Sequence, residues 1–170
     1  MAGSLRVPGS IIKSMCYTAP LNKLLDIKDA AYIAAFIDGE GTIGLWRRVK
    51  PETGHLSYRP MVEVCNTNKE VLGWFAEIIG NGWFNQTNKK NVAESNHKPL
   101  YRFRFRTQDL RWVLPQIRPY LKIKGRQADL LTEYFELVKN TRPNPKYTQS
   151  GKFDAFWSEI KQLNHRGVLK

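Results

Sequence analysis

Glu40 stands between two glycines in the stretch Asp38-Gly39-Glu40-Gly41. Glycines on both sides keep side-chain bulk away from the backbone. A large anionic substrate and a cation can therefore both reach the carboxylate and the Gly39 carbonyl. Oxygen donors of this kind suit a hard divalent ion. Such an ion neutralises a phosphate and supplies a nucleophilic water, so the chemistry open to this position is metal-assisted hydrolysis of a phosphodiester. The competing reading is a plain polar turn between a helix and a strand. What precedes and follows the acid decides between them.

Ahead of it, Asp29 to Ile37 predicts a helix, rich in Ala and free of Gly and Pro until Gly39 and Gly41 stop it. Ala30, Ala31, Ala34 and Ala35 recur at spacings of three and four between Tyr32, Ile33, Phe36 and Ile37. Hardly any of this surface suits water, and its small face allows another backbone to approach closely. Behind the acid, Thr42 to Lys50 alternates, with Ile43, Leu45 and Val49 on one face and Thr42, Trp46, Arg48 and Lys50 on the other. A turn with Pro51 and Gly54 leads to a second alternating run, Arg59 to Cys65. There Val62 and Val64 point inward and Arg59, Met61, Glu63 and Cys65 outward. The two runs predict a hairpin.

Thr67-Asn68-Lys69-Glu70 has the form of a capping box with Thr67 as the cap. The stripe Val71, Leu72, Phe75, Ile78 and Ile79 predicts the helix behind it, ended by Gly80 and Gly82. A second strand pair follows, Trp83 to Asn88 and Leu100 to Arg106. In the latter, Tyr101, Phe103 and Phe105 face one way and Arg102, Arg104 and Arg106 the other. Helices over Gln108 to Ile117, Gly125 to Asn140 and Phe153 to Leu163 complete the chain, with a loop at Thr141 to Pro145. This order is an α+β fold: an antiparallel sheet whose apolar face is covered by helices.

The sheet's other face is basic. Lys and Arg number 27 against 15 Asp and Glu, a net charge of +12, which points to a polyanionic partner. Three arginines on one side of one strand repel each other unless an anion joins them. A β-ribbon fits the major groove. Trp46, Met61, Asn85 and Thr87 are placed to read base edges while arginines and lysines hold phosphates or guanines. Tyr101, Phe103 and Phe105 lie on the face away from the arginines, so a stacking platform for single-stranded RNA is disfavoured and duplex DNA preferred. With 42% apolar and 12% aromatic residues the chain is no disordered basic tail. No apolar run approaches the ~20 residues of a membrane span. Cys16 and Cys65, far apart and without clustered histidines, predict neither a disulfide framework nor a zinc site, and favour a reducing compartment.

Ile33-Ala34-Ala35-Phe36-Ile37-Asp38-Gly39-Glu40-Gly41 resembles the LAGLIDADG motif of homing endonucleases, and the order of elements over Asp26 to Leu163 is similar to that family's αββαββα fold. The resemblance implies a curved antiparallel sheet forming a DNA-binding saddle. It implies site-specific cleavage of duplex DNA with Mg²⁺, for which Mn²⁺ or Ca²⁺ substitutes in binding, and no small-molecule cofactor. It makes Glu40 the metal-binding acid, where many members have Asp, and the Gly39 carbonyl a second ligand. Lys124, in Pro119-Tyr120-Leu121-Lys122-Ile123-Lys124, matches the lysine near the scissile phosphate. Asn68 matches a position, often Gln, that orients water. Leu72 stands where well-known members carry a basic residue.

The motif occurs once, and duplex cleavage needs an acid on each strand. A homodimer is therefore expected, packed through Ala31, Ala34, Ala35 and Asp38 on a pseudo-palindromic site. Asp38 is also expected to support the helix end. Competing readings are an RNA-splicing maturase on the same fold and a non-cleaving DNA-binding regulator. Residues 1–25 hold no Asp or Glu, and their composition resembles that of a mitochondrial or chloroplast transit segment. Pro8 and Pro20 interrupt an amphipathic helix there and favour a flexible arm. Residues 26–170 are expected to form one domain, intracellular and without a membrane segment.

Overall fold

A computed structural model describes residues 23–54, 56–80, 82–87, 98–139 and 150–165. The first helix, α1, spans Ile27–Glu40 and is longer at both ends than the composition predicted. Asp26 caps its start, its carboxylate accepting from the Lys28 N–H at 2.8 Å. At the other end Gly39 does not stop it; a lone glycine costs a helix only about 1 kcal/mol. Gly41 does, its N–H bonding back to the Ile37 carbonyl. A Cβ on Gly41 would lie 2.8 Å from both the Cα and the O of Ile37, so only glycine lets the chain turn here from helix into strand.

Strands β1 (Gly41–Val49) and β2 (Leu56–Asn66) pair antiparallel, from Gly41 opposite Val64 to Val49 opposite Leu56. Helix α2 covers Lys69–Ile79. Its cap is Asn68, not Thr67: the Asn68 side-chain oxygen accepts from the N–H groups of Glu70 (2.9 Å) and Val71 (3.2 Å), and the Asn68 N–H donates to the Asn66 side chain. Strands β3 (Trp83–Gln86) and β4 (Tyr101–Arg104) are shorter than the alternation predicted. Asn88 and the loop after it fall outside the described residues, and Arg106 has left the sheet to begin the next helix. The sheet order is β1-β2-β4-β3, antiparallel throughout.

Helix α3 (Thr107–Ile117), a 3₁₀ turn (Arg118–Tyr120), α4 (Gly125–Lys139) and α5 (Ser150–Leu163) follow. The predicted loop at 141–145 lies outside the described residues. Ile43, Leu45, Val62, Val64, Phe103 and Phe105 form the apolar face, buried against Ile33 and Ile37 of α1, Leu72 and Phe75 of α2, and Leu110 of α3. Phe75, Phe103 and Phe105 pack with ring centroids 5.1 to 6.2 Å apart. Val49, expected inward, is 49% exposed, because the last four residues of β1 run out of the buried layer. Helix α5 closes the edge of β1, where the Asn164 amide donates to the Ile43 carbonyl at 2.7 Å.

Lys23 and Leu25, counted by the sequence reading with the N-terminal arm, are fastened to this body. The Lys23 ammonium bonds the last carbonyl of α2 at 2.9 Å, and the Leu25 N–H donates to the Gln116 side chain at 2.7 Å. No helix among the described residues is long and apolar enough to cross a membrane.

Candidate metal site and nucleic-acid interface

Glu40 is the last residue of α1 and exposed, and its carboxylate has no hydrogen bond or ion pair among the described residues. Its surroundings are tied down. The Asp38 carboxylate accepts three backbone N–H bonds, from Lys122 (2.6 Å), Ile123 (3.1 Å) and Lys124 (2.9 Å). The Lys124 ammonium donates to the carbonyls of Ile37 (3.0 Å) and Asp38. It thus adds a second donor to the Ile37 carbonyl, supplies one to the Asp38 carbonyl, and sits at the negative end of the helix dipole. One reciprocal clamp therefore fixes the Lys122–Lys124 segment to the tip of α1. Burial pushes the Asp38 carboxyl up, but the three N–H donors and the Lys124 charge overcome it and hold the group below the ordinary carboxylate range.

Asp38, expected at a subunit interface as well as in a structural role, has its carboxylate committed within its own chain. Ala34 is fully buried in the core and is not part of an open face. The 3.6-residue period puts Ala34 on the side of α1 that meets the sheet. The open side carries Tyr32, Ala35 and Gly39, with Ala31 half-exposed. Asn68 lies at the same end of the sheet, just past the end of β2, but its side-chain oxygen is occupied as the α2 cap.

The outer face of the sheet brings the expected residues together. Trp46, Arg48 and Arg59 are exposed on the hairpin and Lys50 just beyond β1. Asn85 and Thr87 are exposed on and after β3, while Met61, Cys65, Arg102 and Arg104 are half-buried between them. Two expectations change. Arg104 and Arg102 are not three-way rivals with Arg106 awaiting an external anion, because Glu63 of β2 lies directly opposite Arg104. Its Oε2 accepts from Arg104 Nε (3.0 Å) and Nη2 (2.8 Å), and Arg102 Nε lies 3.6 Å away. Glu63 thus faces arginines, and only Arg106 stands clear of it, exposed at the start of α3.

The second change concerns aromatics. Trp83, opposite Arg104, is 58% exposed on the basic face, as is Trp46, whose ring lies 5.6 Å from the Arg104 guanidinium carbon. Trp46, Arg59, Met61, Trp83, Arg104 and Arg106 line one open cleft. Trp83 shares strand parity with Asn85 and Thr87, and that alternation was the signal that placed it outward.

Among the described residues no three His, Cys, Asp or Glu side chains converge on one point. One exposed carboxylate and the carbonyl of the adjacent, exposed Gly39, whose Cβ position is open space, are hard oxygen donors and fit a divalent ion of the Mg²⁺ or Ca²⁺ type. They supply only part of the oxygen shell such an ion takes.

No family model matches the chain. Among curated proteins, the DNA endonuclease I-CreI of Chlamydomonas reinhardtii is 27% identical over 120 residues, which is 67% of this chain and 66%, just under two thirds, of that protein's length. The homing endonuclease I-CvuI, solved with its target in the presence of Ca, superposes with a TM-score of 0.66 at 19% identity over 85% of this chain and 86% of that one. The archaeal intron-encoded homing endonuclease I-Vdi141I, complexed with DNA, gives 0.65 at 18% over 83% and 87%. The antiparallel sheet under its helices is the fold of the LAGLIDADG homing endonucleases. The single motif-like stretch, Ile33 to Gly41, forms the end of α1 and the turn into β1 in this fold.

Proposed function

We propose that this protein is a site-specific endonuclease of duplex DNA that works as a homodimer, with a divalent ion held by Glu40 and the Gly39 carbonyl. The observation that carries this reading is Glu40 itself: an exposed acid without an internal partner among the described residues, on a helix tip that the rest of the chain holds in place, next to a basic sheet. A buried or paired acid would suit structure. An unpaired one on a clamped tip suits a ligand. The similarity to I-CreI and the DNA-bound neighbours agrees with it.

Each residue then has a task. When bound, the ion supplies charge neutralisation at the phosphate and a nucleophilic water. Glu40 and Gly39 hold it; Asp38 and Lys124 fix the tip on which they sit. Lys124 also places a positive charge beside the site, where it offsets charge developing on the phosphate. The basic face of the sheet follows the groove, and the open side of α1 meets its copy through Tyr32, Ala35 and Gly39, so that each strand faces one Glu40.

The experiment is selection of cleaved sites from a randomised duplex library with Mg²⁺, run beside Glu40→Gln. The wild type should cut a defined site, and the variant should bind it and not cut. Equal cutting by the variant would refute the ligand assignment. Site length is a second check. The nine residues of β1 reach ~30 Å at roughly 3.3 Å each, about 9 base pairs of groove. Two copies should protect roughly 18 to 22 base pairs, and a footprint under about 12 is incompatible with the dimer.

A further inference from the structure

Arg104 is the most constrained cation on the basic face. Glu63 takes one edge of its guanidinium, the Nε and Nη2 pair, in two charge-assisted bonds of 3.0 and 2.8 Å. The Trp46 ring stands 5.6 Å from its central carbon, and Trp83 lies across the strand pair from it. Glu63, Arg104 and Arg102 occupy the middle of the sheet on β2 and β4. An arginine whose only task is to hold phosphate gains nothing from such constraint, since phosphate contacts tolerate a mobile charge and a neighbouring acid weakens them.

A guanidinium has five N–H donors in a planar fork. Glu63 uses two of them on the side edge. The terminal edge, one N–H on Nη1 and one on Nη2, keeps the spacing that matches a guanine O6 and N7 pair. Resting on the proposed DNA-binding reading, we infer that Glu63 is a positioning residue. Together with Trp46 it fixes Arg104 so that the terminal edge reads a guanine in the major groove at one position of each half-site. The acid contributes no DNA contact of its own. It lowers non-specific attraction by cancelling charge and raises specificity by fixing the fork.

The two effects have opposite signs when Glu63 is neutralised, and that separates positioning from a merely structural ion pair. The probe is a randomised duplex library, with bound fractions sequenced to give base preference position by position. Wild type should show one guanine position per half-site, preferred roughly ten- to a hundredfold. Glu63→Gln should flatten that position while non-cognate binding stays equal or tightens and its salt dependence steepens. Arg104→Lys, which keeps the charge and loses the fork, should flatten the same position with the salt dependence unchanged, and it supplies the answer if the Glu63 variant fails to fold.

An unchanged preference profile in either folded variant, or flattening at different positions in the two, overturns the inference while leaving duplex binding intact. Failure of the wild type to enrich any duplex overturns the inference together with the DNA-binding reading beneath it.

Discussion

The tip of α1 and the open face of the sheet meet at Gly41, yet they handle charge in opposite ways. At the tip, Asp38 and Lys124 spend their side chains on backbone groups of the same chain, and one carboxylate, Glu40, is left over. Across the sheet, cations are abundant and the acid is the scarce partner, with Glu63 shared between Arg104 and Arg102. A catalytic position needs its few groups fixed to within a fraction of an ångström, and backbone anchors supply that. A surface that follows a long polyanion needs summed charge, and only selected members of it need fixed orientation. Rigidity is therefore concentrated where chemistry is expected, with one island of it on the sheet.

The sharpest way to break this contrast is at Glu40. Replacement by Gln should remove cutting altogether while duplex affinity changes less than about twofold, as nicking and gel-shift assays on one preparation would show. A next step attacks the anchor. Asp38→Asn forfeits a charged acceptor of three N–H donors, and each hydrogen bond to a charged group is worth about 1.5 to 3 kcal/mol. The variant should lose roughly 3 kcal/mol in chemical denaturation and most cutting, although Glu40 is untouched. Full stability would show that the clamp is not what holds the tip.

The same carboxylate gives a pH dependence whose sign follows from its lowered value. Its contribution is fully present above the unfolded-chain value of about 3.9 and is lost as pH falls through the lower folded value. The difference in stability between wild type and Asp38→Asn should therefore shrink on acidification below about pH 4, measured by denaturation across pH.

On the sheet, Arg106→Ser should take up to about 0.9 from the slope of log affinity against log salt, because this arginine is exposed and stands clear of Glu63. The pair Arg104→Ser with Glu63→Gln leaves the net charge of the face unchanged, and the slope should stay where it is. A large change in that double variant would mean Glu63 does not neutralise Arg104 in solution. The smallest effect belongs to Asn68. Asn68→Ala should cost about 1 kcal/mol as a lost helix cap, and Asn68→Asp, an equally good cap, should restore it. If Asn68→Asp restores stability but not cutting, the side chain has a role at the cleavage site beyond the cap.

Much of this molecule is local physics and was legible in the residues. The two-residue alternation of Thr42 to Lys50 and Tyr101 to Arg106 separated a core face from a basic face, because successive side chains of a strand point to opposite sides whatever the rest of the chain does. The small, apolar helix ending in Asp38-Gly39-Glu40-Gly41 announced its site in the same way, since Gly41 is required by a steric contact only four residues back, at Ile37.

What the chain order does not contain is which distant groups meet. Asp38 is joined to Lys122, Ile123 and Lys124 across more than eighty residues, and Glu63 to Arg104 across forty-one. Both pairings depend on sheet register and helix packing. Periodicity placed Glu63 outward correctly, yet only the register of β2 against β4 set it opposite Arg104 and turned an apparent run of unpaired arginines into an oriented one. The cap of α2 passed from Thr67 to Asn68 for a comparable reason. The pairing of β2 with β4 runs out to Asn66, whose side chain then takes the Asn68 N–H, so the strand's end point, fixed by its neighbour, decided where the helix could begin.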